Sequence, residues 1–362
     1  MTSKERVMAV LKGKEPDRIP WAPLIDEYYG NYLKSRGLSL NNVEILRMIG
    51  ADVIERHVHV FDRKYSGMEF ETKRKGNEEI LYITTPVGRL QQYYSYSGET
   101  KFCKGYMVNT LEDMKTMKYM YEKVQIVLDE KAFLKEQAYI GDDGIATASM
   151  EQTPILKLIE YGTGLENFTY LLEDYKTEME ELMETMHQSN LRLVRKLVES
   201  PAEVIIDYED TSTTLISAEW YKKYCSRYID EYADMIHDAG KVYITHMCGK
   251  LKGFTDIIRI NRMDGIDSVC PPTTGDLRAD EALKAFEGKF IIGGIDPPEL
   301  KRMSVDETEK YVQDILNSIV PGRNFILSTG DATSYGTPVE NLMKVSEMIK
   351  KYGGYPLKSF KG

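Results

Sequence analysis

Short apolar runs separated by amphipathic stretches dominate the pattern of hydrophobic and polar positions in this chain of 362 residues. Apolar residues spaced three and four apart predict helices in most intervals, for example over residues 167–198, 218–239 and 308–319. Strand-helix alternation predicts a parallel sheet, and about eight repeats predict a closed (β/α)8 TIM barrel. The apolar runs typical of buried strands are Arg18–Leu24, Ala51–Ile54, Gly144–Met150, Glu203–Asp207, Val242–Cys248, Gly265–Cys270, Lys289–Gly294 and Phe325–Thr329.

Residues 68–108 interrupt this alternation. Polar and apolar residues alternate there on both sides of the pair Gly76-Asn77, which predicts an antiparallel β-hairpin with a tight turn. We therefore expect a barrel that carries an inserted hairpin near residues 68–108. No segment rich in Gly, Ser or Pro divides the chain, so we predict a single domain over residues 1–362.

Composition and charge exclude several classes of protein. The chain has no apolar run of about eighteen residues and no apolar stretch near residue 1, so we expect neither a membrane span nor a signal peptide. A net charge of −10 argues against a nucleic-acid partner, which requires a basic surface. The four cysteines are irregularly spaced, which does not resemble a disulfide framework and predicts a cytoplasmic protein.

The most informative chemistry lies where predicted strands end. His246 and Cys248 follow a β-branched run, and their spacing of two places both side chains on one face of an extended chain. Imidazole and thiolate are zinc ligands. Asp331 ends another predicted strand after Gly330, and the carboxyl ends of parallel strands meet at one end of a barrel. The sequence therefore predicts a Zn²⁺ site at His246, Cys248 and Asp331.

Other polar residues follow the predicted strands and are candidates for roles beside the metal. We expect Glu151 and Asp207 to be catalytic, and Tyr208, Glu209 and Asp296 to bind substrate. Each of these acids has an alternative role: Glu151 as a carboxylate that orients a neighbour, and the acids at 207, 209 and 210 as groups that support the site or as loop acids. We predict that Cys225 and Cys270 are inert. A functional role stays open for His57 and His59.

Four segments carry a family resemblance. Residues 6–20, 85–90, 246–249 and 337–341 resemble, in order, motifs of the uroporphyrinogen decarboxylase superfamily, and the likeness covers nearly the whole chain. That superfamily has a (β/α)8 barrel, in agreement with the strand count. The decarboxylases have an arginine-rich motif near Arg-Gln-Ala-Gly-Arg for their anionic substrate, but this chain has residues 21–29, which contain no arginine, in its place.

The chain more closely resembles the corrinoid-dependent methyltransferase branch. The resemblance implies a zinc held by a His-x-Cys pair and a late cysteine, whose place Asp331 takes here. It also implies a corrinoid, which we expect on a separate partner protein because the chain has no Asp-x-His-x-x-Gly motif. A pattern of the ether-cleaving members matches Glu151, Glu166 and His187, of which we retain only Glu151 because the other two have helical surroundings.

Together these features predict a zinc-dependent methyltransferase that moves a methyl group between a small substrate and a corrinoid protein. An oxygen ligand keeps zinc a stronger Lewis acid than a thiolate does, which favours an ether oxygen as leaving group and therefore an aryl methyl ether as substrate. The alternatives are a decarboxylase of the uroporphyrinogen type, a methylcobalamin:thiol methyltransferase and a non-catalytic binding protein on a barrel scaffold.

Overall fold

The structure is a computed structural model that describes residues 1–97 and 100–359, and the side chain of His57 lies outside this description. A role for that histidine therefore stays a prediction. The strands are β1 (Val53–Val58), β2 (Phe61–Lys64), β3 (Glu69–Lys75), β4 (Glu78–Thr85), β5 (Gly88–Ser97), β6 (Thr100–Gly105), β7 (Gln125–Leu128), β8 (Gly144–Ser149), β9 (Val204–Asp207), β10 (Val242–His246), β11 (Gly265–Val269), β12 (Phe290–Ile295) and β13 (Phe325–Thr329).

Helices fill most intervals between these strands. A π-helical turn, Leu158–Thr163, continues α6, and a second, Lys222–Ser226, joins α9 to α10. The α-helices are α1 (Ser3–Leu11), α2 (Glu27–Ser35), α3 (Asn42–Ile49), α4 (Leu111–Lys123), α5 (Glu130–Ile140), α6 (Pro154–Lys157), α7 (Leu165–Asp174), α8 (Lys176–Glu199), α9 (Ala218–Tyr221), α10 (Arg227–Asp238), α11 (Thr255–Ile260), α12 (Ala279–Ala285), α13 (Pro297–Arg302), α14 (Val305–Ser318) and α15 (Val339–Tyr352).

A curled parallel sheet of seven strands forms the centre of the fold, in the order β1-β8-β9-β10-β11-β12-β13. Its order follows the chain, as expected for strands connected by helices. Seven of the apolar runs therefore are strands, as the sequence predicted. The eighth, Arg18–Leu24, is not a regular strand: it forms only an isolated parallel bridge between Trp21 and Leu327. The carbonyl of Trp21 also accepts a hydrogen bond from the backbone N–H of Asp52, so this segment links both edges of the sheet.

The interior of the curled sheet has an apolar lower layer. Alternate residues of the strands, among them Ile54, Ile145, Val242, Ile244 and Ile292, pack there against one another. Helix α1 closes this end with its own apolar side chains. The other residues of the same strands pack outward against the helices in a separate, larger core. Because strand side chains alternate, the face on which each residue lies decides whether it can reach a site inside the sheet.

The inserted region holds four antiparallel strands and not the single hairpin that we predicted. Strands β3, β4, β5 and β6 pair in chain order, and the Gly76-Asn77 turn joins the first two. Strand β5 is rich in Tyr, Ser and Gln, so its alternation of polar and apolar residues is weak. Strands β2 and β7, which precede and follow these four strands in the chain, form a separate antiparallel pair. No helix in the described ranges is long and apolar enough to cross a membrane.

Candidate metal centre

His246 lies at the carboxyl end of β10 and faces the interior of the sheet. Strand alternation puts it on the same side as Val242 and Ile244, which belong to the apolar lower layer. Its side chain is buried, and the ring of Tyr208 lies beside it with the ring centroids 4.9 Å apart. The strand thus places an imidazole directly above the apolar layer, where catalytic residues of barrels are found.

A buried carboxylate fixes the orientation of this imidazole. Asp267 on the neighbouring strand β11 places its Oδ2 2.9 Å from His246 Nδ1. Arg56 donates from Nε and Nη2 to the two oxygens of Asp267 at 3.1 and 3.0 Å. Burial opposes ionisation of Asp267, but the charge of Arg56 and the hydrogen bond from His246 hold the pKa of Asp267 well below its usual value. An ionised acceptor at Nδ1 leaves Nε2 with a free lone pair for a metal.

Cys248 and Asp210 come together above this histidine. The Sγ atom of Cys248 lies 3.2 Å from Asp210 Oδ1. Gly249 permits this approach, because a Cβ at position 249 would lie 2.2 Å from the carbonyl oxygen of Thr211. The loop after β10 therefore packs directly on the loop after β9, and only glycine fits between them.

The donor set of Asp210, His246 and Cys248 fits a zinc ion. One ligand atom from each of the three lies within 4.8 Å of the other two. Tetrahedral zinc with bonds of 2.0–2.3 Å requires ligand atoms about 3.3–3.8 Å apart, so small side-chain adjustments suffice. Burial, together with the negative charges of Asp210 and Asp331, raises the pKa of the Cys248 thiol. A cation at the centre reverses that effect and deprotonates the thiol.

Asp331, the third ligand predicted from the sequence, lies close by but outside this set of three. Its negative charge is one of the neighbouring charges that favour the protonated forms of both His246 and Cys248. Its Oδ1 accepts a hydrogen bond from the backbone N–H of Ala332 at 2.6 Å. Among the described residues, Asp210 has a carboxylate oxygen within 4.8 Å of the donor atoms of the histidine and the cysteine, and Asp331 is not in this group. Ligation by Asp331 therefore stays a prediction.

Glu160 is a residue of the site that the sequence analysis missed. It lies on the π-helical turn Leu158–Thr163, and its Oε2 accepts a hydrogen bond of 2.8 Å from Gln152. Burial and the neighbouring charge of Asp210 raise the pKa of Glu160 to about 9. A π-helical turn often marks a functional site, but the apolar spacing of residues 154–163 gives no sign of it.

Asp207 and Glu209 do not face the candidate metal centre. Strand β9 directs Val204 and Ile206 into the apolar lower layer, so residues of the other parity point outward to the helices. Asp207 accepts a hydrogen bond from Tyr243 at 2.5 Å, and Glu209 accepts two from Thr153. The predicted catalytic role of Asp207 and the predicted substrate contact of Glu209 thus gain no support from their positions. The alternation places Tyr208 inside, where its ring contacts His246.

Glu151 and Asp296 occupy separate places. Glu151 forms an ion pair with Arg63, with Oε1 2.9 Å from Nη2, and lines a cavity beneath the inserted sheet. Asp296 is fully buried in the loop after β12, where it accepts hydrogen bonds from Thr274 and from the backbone N–H of Thr273. Neither belongs to the set of three metal donors. Their roles in catalysis and substrate binding stay predictions.

The remaining histidine and cysteine candidates lie elsewhere. His187 stacks on Tyr228 with the ring centroids 3.8 Å apart and is hydrogen-bonded to Tyr232, so it is a satisfied core residue, while Glu166 is exposed. His59 is exposed and lies 3.4 Å from Asp62, in a second group of possible donors that also includes Asp129. All four cysteines are free, and two of them, Cys225 and Cys270, are buried and do not belong to the set of three donors.

The candidate metal centre lies within the part of the chain that matches a known family model. Residues 100–352 match the model of uroporphyrinogen decarboxylase (URO-D), which is more than half of the chain. The chain belongs to the URO-D family. This membership confirms the resemblance that the sequence motifs indicated.

Relatives of this URO-D family chain include two proteins named methylcobamide:CoM methyltransferase MtbA, from Methanosarcina mazei and Methanosarcina acetivorans. They are 26% identical to it over 165 and 176 residues. The alignments cover 45% and 47% of this chain and 46% and 48% of those proteins, so the chain spans about half the length of the relatives it matches. These names agree with the corrinoid-dependent methyltransferase branch of the family.

A solved structure shares the fold of the whole URO-D family chain. It is a methyltransferase from Methanosarcina mazei, with a TM-score of 0.65 and 14% sequence identity. The superposition covers 97% of this chain and 99% of that chain. The likeness in fold therefore includes both the inserted antiparallel sheet and the curled parallel sheet.

Proposed function

We propose that the chain is a zinc-dependent methyltransferase that moves a methyl group between a small substrate, an aryl methyl ether, and a corrinoid carried by a partner protein. We expect this chemistry at the open end of a (β/α)8 barrel. The segment that contains Trp21 takes the place of a regular eighth strand in this barrel. The observation that carries it is the convergence of Asp210, His246 and Cys248 at the ends of adjacent strands. The similarity to methylcobamide methyltransferases supports the corrinoid as the second reactant.

The residues around the three donors prepare the site for this reaction. When bound, zinc supplies a Lewis acid for the heteroatom that carries the methyl group. Asp267 holds the His246 ring so that Nε2 faces the donors, and the Arg56–Asp267 pair separates them from the apolar lower layer. Tyr208 covers one side of the imidazole. These contacts exclude water from beneath the reacting atoms.

Asp210 is the donor that favours an ether over a thiol. A set of one thiolate, one imidazole and one carboxylate donates less electron density than a set with two thiolates, so an oxygen leaving group gains more from it. The second candidate, a methylcobalamin:thiol methyltransferase, is favoured by the names of the two relatives. Either reaction uses the same three donors, so only an assay with both substrates separates them.

The decisive experiment measures methyl transfer in both directions with purified protein loaded with zinc. In one arm, methoxybenzene and Co(I) cobalamin should give the absorbance of methylcobalamin; in the other, methylcobalamin and 2-mercaptoethanol should react slowly or not at all. The variant Cys248→Ala should lose the activity, whereas Cys103→Ala, a change in the inserted sheet, should keep it. Reaction in the thiol arm alone would replace the ether by a thiol. Decarboxylation of uroporphyrinogen without any methyl transfer would overturn the proposal.

A further inference from the structure

A cavity of about 300 Å³ lies between the inserted antiparallel sheet and the helices packed beneath it, and we name it the sheet pocket. Strands β3, β4 and β5 form its roof, helix α4 forms one wall, and the segment from Glu151 to Gly162 forms the opposite wall. Its volume lies at the small end of the range of ligand pockets, roughly 300–1,000 Å³. The sheet pocket therefore suits a single small ring and not a tetrapyrrole.

Three charged side chains reach into the sheet pocket. Arg63 Nη2 lies 2.9 Å from Glu151 Oε1, and Lys157 Nζ lies 3.9 Å from the same oxygen. Two cations thus share one carboxylate, which leaves a surplus positive charge in a chain whose net charge is −10. The exposed fraction of each cation is about a third, 29% for Arg63 and 30% for Lys157, so both are accessible to a ligand yet partly shielded from water. A ligand with one negative group complements this charge.

The rest of the lining is mostly apolar and aromatic. Four methionines, Met107, Met117, Met120 and Met186, line the sheet pocket together with aromatic rings from the roof and the walls. Methionine sulfur forms favourable contacts with aromatic rings, and the flexible side chain adapts to their edges. The walls thus favour an aromatic body, and the charged side chains favour an acid group on it.

The sheet pocket adjoins the candidate metal centre through the π-helical turn. Leu158, Tyr161 and Gly162 of this turn line the pocket, while Glu160 of the same turn interacts with Asp210. Gln92 of the pocket roof donates a hydrogen bond of 2.8 Å to the carbonyl of Tyr161. The Tyr161 side chain also interacts electrostatically with Asp210 and Cys248. Tyr161 is therefore shared by the sheet pocket and the surroundings of the candidate metal centre.

We propose that the sheet pocket binds the methylated substrate and selects a small aromatic ring that carries an acid group, with Lys157 and Arg63 as the residues that recognise the acid. This inference rests on the proposed function for the identity of the reacting group. The pocket itself is defined by binding, which is measurable without any methyl transfer. Glu151 acts here as the counter-ion that holds Arg63 in place and competes with the ligand for it.

Isothermal titration with three probes tests the sheet pocket: 4-methoxybenzoate, methoxybenzene and cyclohexanecarboxylate. The aromatic acid should bind about tenfold more tightly than the neutral ether, because a partly shielded ion pair contributes on the order of 1 kcal/mol. It should also bind more tightly than the non-aromatic acid. Equal affinity for the aromatic acid and the neutral ether would overturn the assignment of the acid group.

Four variants locate the binding. Lys157→Met should reduce the affinity for 4-methoxybenzoate about tenfold and leave methoxybenzene nearly unchanged. Glu151→Gln should raise the affinity for the acid, since it removes the competing carboxylate, and Leu81→Trp should block both ligands by filling the cavity. Lys123→Met, at an exposed position of α4 outside the lining, is the matched control and should change nothing. Thermal melting and zinc content of each variant verify that it is folded.

The outcomes separate this inference from the proposed function. Binding that depends on Lys157 but is accompanied by no methyl transfer would support the sheet pocket and contradict the methyltransferase. Methyl transfer from methoxybenzene that is unaffected in Leu81→Trp, with no effect of Lys157→Met on binding, would contradict the sheet pocket and leave the methyltransferase standing.

Discussion

His246 Nδ1 lies 2.9 Å from Asp267 Oδ2, and the two residues are paired across strands β10 and β11. Both side chains point into the curled sheet, where Arg56 on β1 completes a buried row of charge. The row connects β1 with β10 and β11 across the interior. The orientation of the imidazole therefore depends on residues from several strands. The contact predicts how the site responds when the carboxylate is removed.

Replacing Asp267 by asparagine should reduce the affinity for zinc by roughly 10- to 100-fold, because the neutral amide no longer fixes Nδ1 as the donor. It should also destabilise the fold by ~3–5 kcal/mol, since Arg56 is left buried without its partner. Competition with a chelator measures the affinity, and urea unfolding measures the stability. Asp234→Asn, in an exposed ion pair with Arg262, is the control and should change neither quantity much. Unchanged zinc affinity in Asp267→Asn would show that Asp267 does not orient the ligand.

Comparison of Asp210→Ala with Asp331→Ala decides the third metal ligand. The structure places Asp210 in the set with His246 and Cys248, so its removal should lower the bound zinc well below one equivalent. Asp331→Ala should retain most of the metal, because it only changes a nearby charge. Metal analysis after dialysis gives both values. The reverse order would establish Asp331 as the ligand, as the sequence first suggested.

Gly249→Ala should disturb the metal centre without touching any ligand. The new Cβ would meet the Thr211 carbonyl oxygen at 2.2 Å, so one of the two loops must move. We expect a loss of about 1–3 kcal/mol in the free energy of unfolding and weaker zinc binding. Gly30→Ala is the matched control, because its Cβ meets nothing within 4 Å, and this change in α2 should stabilise slightly. Full zinc affinity in Gly249→Ala would mean that the loops separate freely.

The Asp17–Arg6 pair predicts a dependence of stability on pH. Burial favours the neutral acid, but two hydrogen bonds from Arg6, at 2.6 and 3.0 Å, and its charge lower the pKa of Asp17 from 3.8 to about 2. A carboxyl with a lower pKa in the folded state stabilises the fold above pH 3.8 and loses this contribution as the pH falls towards 2.

Asp17→Asn should therefore be less stable than the wild type at pH 7 and equally stable near pH 2. The difference at pH 7 should be about 1 kcal/mol or less, because the Asp17 side chain is 40% exposed and solvent screens the pair. Urea unfolding across this pH range measures it. A difference that persists unchanged at pH 2 would assign the effect to packing and not to the charge.

The sequence by itself determined the parallel strands and the pairing of His246 with Cys248 as candidate ligands. Buried strands are short apolar runs, and β13 (Phe325–Thr329) has the limits that the pattern predicted. The spacing of two between His246 and Cys248 is enough to predict that their side chains lie on the same side, because residues of equal parity on an extended chain share a face. Family membership followed from motifs that are contiguous in the chain. Each of these properties depends only on neighbouring residues.

Only the tertiary structure decided which acids reach the site. Val204, Ile205 and Ile206 are all apolar, because a strand covered on both faces has no alternation, so the sequence gives no sign that Asp207 faces outward and Tyr208 inward. Asp210 joins Cys248 because Gly249 lets two loops that are distant in sequence touch. Glu160 reaches Asp210 through a π-helical turn. These contacts depend on the packing of residues far apart in the chain, and local patterns of polarity carry no information about it.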